Sequence, residues 1–222
     1  MVEDGVRLEG FTIRKGSAYL GAGVRVSDAS AEIADCVITQ NTAAGSGGGI
    51  GIEQTTEGTS PVVTITDCTI SGNTASVWGG GVYHENGYYS SALEISACTI
   101  SGNDPDGSLT EGGGVYCYNW GDAEDCEVTI TNSVFSENTA GGNGGGLGSY
   151  ICTVGIDRCR FTENTAADYG GAVHFTGCVF DFTNNLVDAN AAGYGAGAGI
   201  YGTGSTLTLA KAVRTLFRSL PS

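Results

Sequence analysis

Between Val62 and Tyr83 hydrophobic and polar positions alternate, break and alternate again. Val63 and Ile65 alternate with Thr64 and Thr66, the two-residue period of a half-buried strand. Asp67 interrupts, Cys68 and Ile70 resume the alternation, and Gly72-Asn73 reads as a turn. Gly79-Gly80-Gly81 then leads into Val82 and Tyr83. The pattern predicts three short strands separated by turns in roughly 30 residues, with no stretch long or periodic enough for a crossover helix.

The same order recurs along the chain. Glycine-rich steps end in Val24, Ile50, Val82, Val115, Leu147, Val173 and Ile200, and hydrophobic-x-x-Asn boxes end in Asn41, Asn73, Asn103, Asn138, Asn164 and Asn190. A period of this size marks a solenoid, propeller or array. Aligning the repeats yields columns. One reads Ile33, Ile65, Ile95, Ile130, Ile156, Phe182, Leu209; a second reads Ile13, Ile38, Ile70, Ile100, Phe135, Phe161, Val187. Columns of apolar residues are what stacked coils bury. The expected fold is all-β, a right-handed parallel β-helix (solenoid) of about seven coils, its hand taken from the crossover rule.

Residues 1–209 form the expected repeat domain and 210–222 a C-terminal cap or frayed tail. Val213, Leu216, Phe217 and Leu220 recur at helical spacing there, which fits a short capping helix over the last coil. Val6 to Ile13 already reads as repeat material, with no basic-then-apolar leader before it, so the expectation is a piece of a longer chain.

The asparagines and glycines fit the corners of such coils. Asn tolerates left-handed backbone, bonds to neighbouring backbone, and can bond to its equivalents when stacked. Glycine allows positive φ and close backbone approach. Both sets read first as structural.

The boxes Phe135-Ser136-Glu137-Asn138 and Phe161-Thr162-Glu163-Asn164, with Gly170-Gly171-Ala172-Val173, resemble the paired FxxN and GGA[ILV] repeats of chlamydial polymorphic outer membrane proteins. They are also similar to the wider class of bacterial and archaeal right-handed β-helix repeat proteins of cell surfaces. The resemblance spans roughly residues 6–206. It implies a secreted or surface-exposed region of adhesin type, extracellular, with a signal peptide outside this segment. Several boxes carry Ile for Phe, and several steps are Gly-Gly-Gly. Fold resemblance by itself does not assign an activity.

Composition narrows the field. Thirty-eight glycines occur without the collagen period, and 41% hydrophobic content suffices for a core. A net charge of −15 argues against nucleic acid and anionic membrane as partners. No apolar run approaches the ~20 residues of a membrane span.

Eight cysteines fall mostly into columns. Cys36, Cys68, Cys98 and Cys159 lie two residues before the second hydrophobic column; Cys126, Cys152 and Cys178 lie four before the first; Cys117 stands apart. Buried thiols and inter-coil disulfides are both open, since stacked coils bring α-carbons within disulfide range. For the first column buried thiols are favoured; for Cys126, Cys152 and Cys178 the two are evenly balanced. No Cys/His spacing suggests zinc.

The residue after each glycine step should face outward: Arg25, Gly51, Tyr83, Tyr116, Gly148, His174 and Tyr201. With Tyr88, Tyr89, Tyr118 and Trp120 added by the loops that follow, an exposed aromatic face could meet a glycan or a surface protein. The ligand-binding candidates are Tyr83, Tyr88, Tyr116, Tyr118, Trp120, His174 and Tyr201. The plainer reading is that Tyr simply suits a pleated surface. Glu53, Glu57, Glu85, Asp122, Glu124, Asp125 and Glu127 flank this face; they read as a solvated rim, with Ca²⁺ a weak candidate and no cofactor otherwise expected.

Enzyme signatures are missing from the sequence. No paired-carboxylate segment for glycoside hydrolysis is evident, and Arg158 and Arg160 sit beside a strand without an acidic cluster. His84 and His174 accompany no nucleophile motif. No catalytic or metal-ligating residue is assigned. The principal reading is a non-enzymatic binding domain; the alternative is a carbohydrate-active β-helix enzyme, pectate-lyase-like or hydrolase-like, whose catalytic loops are degenerate or absent here.

Overall fold

A computed structural model of the chain describes residues 5–108, 110–120, 125–194, 197–210 and 215–216. Every sheet is parallel, and successive strands of each sheet come from successive repeats. Sheet 1 has eight strands, from Val6–Glu9 through Val62–Thr66 to Thr206–Ala210; sheet 2 has eight, from Thr12–Arg14 to Thr215–Leu216; sheet 3 has seven, from Val24–Ser27 to Ile200–Thr203. Among the described residues seven coils carry strands of all three sheets, and an eighth contributes to sheets 1 and 2. The sequence predicts three strands per coil. Most coils carry a fourth, a two-residue arm just after the asparagine, such as Thr42–Ala43 or Thr165–Ala166. Its brevity hides it from any periodicity.

Register follows the predicted columns. Ile33, Ile65, Ile95, Ile130, Ile156, Phe182 and Leu209 are direct partners in sheet 1. Ile13, Ile38, Ile70, Ile100, Phe135, Phe161 and Val187 are direct partners in sheet 2. Both columns are buried within the stack, while Leu209 in the eighth coil remains 55% exposed. The Phe135 and Phe161 rings stack at 4.6 Å.

The asparagine ladder forms. From Asn73 onward each side-chain carbonyl accepts from the backbone N–H and the Nδ2 of the asparagine one coil earlier, as Asn103 Oδ1 does from Asn73 at 3.0 Å on both counts, while Asn41 Oδ1 accepts from Gly16 N. Its own Nδ2 donates to Ile70 O and to Asn138 Oδ1. The left-handed residue, however, is not the asparagine. It is the residue before it: Gln40, Gly72, Gly102, Glu137, Glu163 and Ala189 all have positive φ. That kink turns the asparagine side chain inward to bond along the stack.

The first cysteine column uses the same corner design. Asp35, Asp67, Ala97, Asn132, Arg158 and Asn184 have positive φ, and the next residue offers its side chain to a neighbouring coil. Cys36 N donates to Cys68 Sγ, Cys68 N to Cys98 Sγ, Cys98 N to Ser133 Oγ, Ser133 N to Cys159 Sγ and Cys159 N to Asn185 Oδ1. The thiols are ladder groups rather than mere filler. Burial pushes the Cys159 thiol up to about 11, so it stays protonated and donates to Asp157 O.

Of the expected capping helix the structure describes only Thr215–Leu216. There it is a strand beside Leu186–Asp188, because the open edge of sheet 2 supplies backbone partners that a helix could not use. The rest of 211–222 lies outside the described residues. No helix among the described residues is long and apolar enough to cross a membrane.

Candidate ligand-binding cleft

The outward row of sheet 3 carries the predicted aromatic side chains, but their surroundings differ from expectation. Tyr83 and Tyr116 are only 3% exposed, and His174 is buried as well. The cause is Trp78. Its indole lies over the row and stacks on Tyr83, Tyr116 and Tyr118 at centroid distances of 6.0, 5.6 and 5.8 Å. Trp120 remains 53% exposed and meets Tyr118 edge-on; Tyr118 lies on the strand Val115–Asn119 rather than on the expected loop, and Tyr88 is exposed on the loop after Val82–Asn86. The expected flat aromatic face is a layered cluster with a few free edges.

Trp78 occupies the residue immediately before a glycine step. The same position holds Glu111, Asn143 and Tyr169 in the next three coils, stacked through Gly79 N to Glu111 O, Gly112 N to Asn143 O and Gly144 N to Tyr169 O. Gly79 has φ +61°, and a Cβ there would meet Val82 O at 2.3 Å, so the step needs glycine to swing the preceding side chain over the sheet. A second column is thereby folded across the first. Sequence reasoning passed over Glu111, Asn143 and Tyr169; their one signal is a shared place before each positive-φ glycine.

Between these columns lies a cleft of about 550 Å³. Tyr116, Tyr118 and Tyr150 line it on one side, and Tyr169, His174 and Tyr201 on the other. Tyr118 stacks on Tyr150 at 5.3 Å; Tyr201 stacks on Tyr169 at 4.6 Å and on His174 at 5.8 Å. The gap exists because Gly148 stands in register between Tyr116 and His174. A Cβ at Gly148 would lie 2.7 Å from the Tyr116 ring.

Polar groups are set into these walls. The Glu111 carboxylate accepts from Asn143 Nδ2 at 2.7 Å and lies close enough to the Tyr116 hydroxyl to act on its ionisation. Burial and that carboxylate hold the Tyr116 hydroxyl well above its usual range, so it remains a donor. Asn143 Oδ1 is buried and has no hydrogen-bond partner among the described residues. Burial lowers His174 against the opposing pull of Glu111, leaving a neutral imidazole at pH 7 that can both donate and accept. Thr176 and Thr203 add hydroxyls 3.1 Å apart.

The chain matches the family described as right handed beta helix region over residues 3–212. It therefore belongs to that right-handed β-helix family. No curated protein and no solved structure matches the chain. In this β-helix the cleft is built by irregular positions, the two columns that flank each glycine step.

Of the predicted site residues, the cleft brings together Tyr116, Tyr118, His174 and Tyr201. Tyr83 backs the cluster from beneath Trp78, and its hydroxyl donates to Glu85, which also accepts from Trp120 Nε1 at 2.7 Å. The acidic rim is partly committed elsewhere: Glu53 is buried against Arg25. Among the described residues no three acidic, His or Cys groups are placed to hold a metal. Asp122 and Glu124 lie outside the described residues.

His84 faces inward from the same strand as Tyr83 and is fully buried. Its Nε2 lies 3.0 Å from Ser91 Oγ, and burial lowers its pKa to about 4 from 6.5. The unfolded chain therefore takes up this proton first as pH falls. Stability conferred by the neutral ring is fully present above pH ~6.5 and lost down to pH ~4, by about 3 kcal/mol. Urea midpoints should fall over that window, and His84→Gln should flatten most of the decline, leaving the smaller share of His174. An unchanged slope in the variant would refute the assignment.

Proposed function

We propose that this β-helix is a non-enzymatic, secreted or surface-exposed binding domain of adhesin type that takes a glycan in the sheet 3 cleft. The observation that carries this reading is the pair of aromatic walls enclosing about 550 Å³, with Glu111, Asn143 and His174 between them. Aromatic faces pack against the apolar faces of sugar rings, while the carboxylate, amide and imidazole match hydroxyl groups. The volume lies within the usual range for small-ligand sites. A net charge of −15 favours neutral glycans over uronic acids. The Phe-x-x-Asn boxes and glycine steps support a place among cell-surface β-helix repeat proteins, with the chlamydial repeats as the finer resemblance.

A glycan array followed by calorimetry tests the reading. Tyr150→Ala and Tyr201→Ala each remove one wall ring without entering the core, and each should weaken binding about tenfold, or ~1.4 kcal/mol. Binding that survives both substitutions removes the cleft from consideration. Steady release of product from a bound polysaccharide would instead establish the carbohydrate-active alternative.

A further inference from the structure

The second cysteine column breaks the pattern of the first. Its upper part is a ladder: Cys152 N donates to Cys178 Sγ at 3.5 Å and Cys178 N to Ser205 Oγ at 2.9 Å. Between Cys126 and Cys152 the sulfurs themselves meet, 2.8 Å apart. That is well inside the roughly 3.5–4.0 Å at which even carbon atoms make their best contact. The next residues, Glu127 and Thr153, are register partners. The two α-carbons are therefore about one inter-strand spacing apart, ~4.8 Å, within the range a disulfide spans.

We propose that Cys126 and Cys152 form a single disulfide between adjacent coils when the protein folds in an oxidising compartment. The partners come from the geometry, which passes over the third member of the column. Cys178 meets Cys152 through the backbone, Cys152 N donating to Cys178 Sγ at 3.5 Å, rather than sulfur to sulfur, and Cys178 Sγ also lies 3.5 Å from Ser149 Oγ. A base is at hand. His84 Nδ1 lies 4.0 Å from Cys126 Sγ, and when Nε2 donates to Ser91 Oγ, Nδ1 presents its lone pair to that thiol. An imidazole with its ordinary pKa near 6.5 is already mostly neutral at pH 7, so it can accept the proton before the site is fully buried.

The oxidant is a small-molecule disulfide of the glutathione class. Cys126 loses its proton to His84 and attacks one oxidant sulfur, breaking the oxidant S–S bond; the departing thiolate collects the proton. Cys152 thiolate then attacks Cys126 Sγ, forming the protein disulfide and expelling the second thiolate, which takes the Cys152 proton. Two protein thiols and one oxidant disulfide become one protein disulfide and two small thiols. In the folded chain Cys126 and Cys152 are 2% and 3% exposed, so exchange belongs to the stage at which His84 has met Cys126 but the coil carrying Cys152 has yet to close, and the finished bond is shielded from reductants.

The test is thiol counting on wild-type protein refolded in a glutathione redox buffer or in dithiothreitol. Each sample is unfolded without further reduction, alkylated with N-ethylmaleimide and weighed intact. Six adducts are expected from the redox buffer and eight from dithiothreitol, with peptide mapping joining Cys126 to Cys152. Eight adducts in both samples, or a linkage that uses another pair, would overturn the proposal. Cys178→Ala should keep the linkage. Cys126→Ala should take seven adducts in either buffer and lose any dependence of Tm on redox state. The wild-type count decides the matter even if that variant folds poorly.

Discussion

Asn103→Ala should destabilise the β-helix by about 4–6 kcal/mol, a large share of the 5–15 kcal/mol typical of a whole domain. Asn103 is fully buried at mid-stack, and its side chain takes part in four hydrogen bonds. Truncation orphans the Asn73 N–H and one Asn73 amide hydrogen, along with Ile70 O and half the acceptor load of Asn138. Each buried group left unpaired costs about 1–3 kcal/mol. Water cannot readily repair the loss, because the ladder runs beside the packed Ile70 and Ile100 side chains. Urea unfolding measures the effect, and a loss below about 1 kcal/mol would show that the ladder contributes little. Asn103→Asp keeps the acceptor oxygen but loses the donor and buries a charge, so it should not rescue stability.

That ladder was legible in the sequence because one residue type at one place in each repeat, three after a hydrophobic residue, must be doing one job in every coil. The core columns were legible for a related reason: period-2 alternation fixes which side chains face inward, and a one-residue slip would expose them all. The corner mechanism was not. Ser133 and Asn185 serve the cysteine ladder as well as sulfur does, since the corner N–H needs only an acceptor there. Three residue types in one geometric role look like a broken column on paper. The cleft was half legible. Tyr116, His174 and Tyr201 are legible because they directly follow glycine steps, whereas Tyr118 reads as a loop residue and lies on a strand. Their burial and their partners were hidden, because Glu111, Asn143 and Tyr169 reach the site from the turn before the glycine, where no hydrophobic period operates.

Trp78 shows what this second column contributes, and its removal should be felt in both the fold and the site. Trp78→Ala is expected to cost about 3 kcal/mol, the lower end for deleting a large aromatic, because the indole is only partly buried. The loss comes from three ring contacts at once, and it uncovers Tyr83 and Tyr116. Affinity at the cleft should fall as well, although Trp78 does not line it. Tyr116 and Tyr118 hold their places in the wall partly by stacking beneath the indole, and Tyr118 in turn stacks on Tyr150. Preorganised rings bind without an ordering cost, whereas freed ones must be fixed on binding. Trp78→Phe restores an aromatic cover with less area, so it should recover most of the stability and most of the affinity together. Glycan titrations alongside urea unfolding of both variants check this. If Trp78→Ala lost stability but bound as tightly as the parent, the wall would not depend on its cover, and binding would rest on Tyr150, Tyr169 and Tyr201 alone.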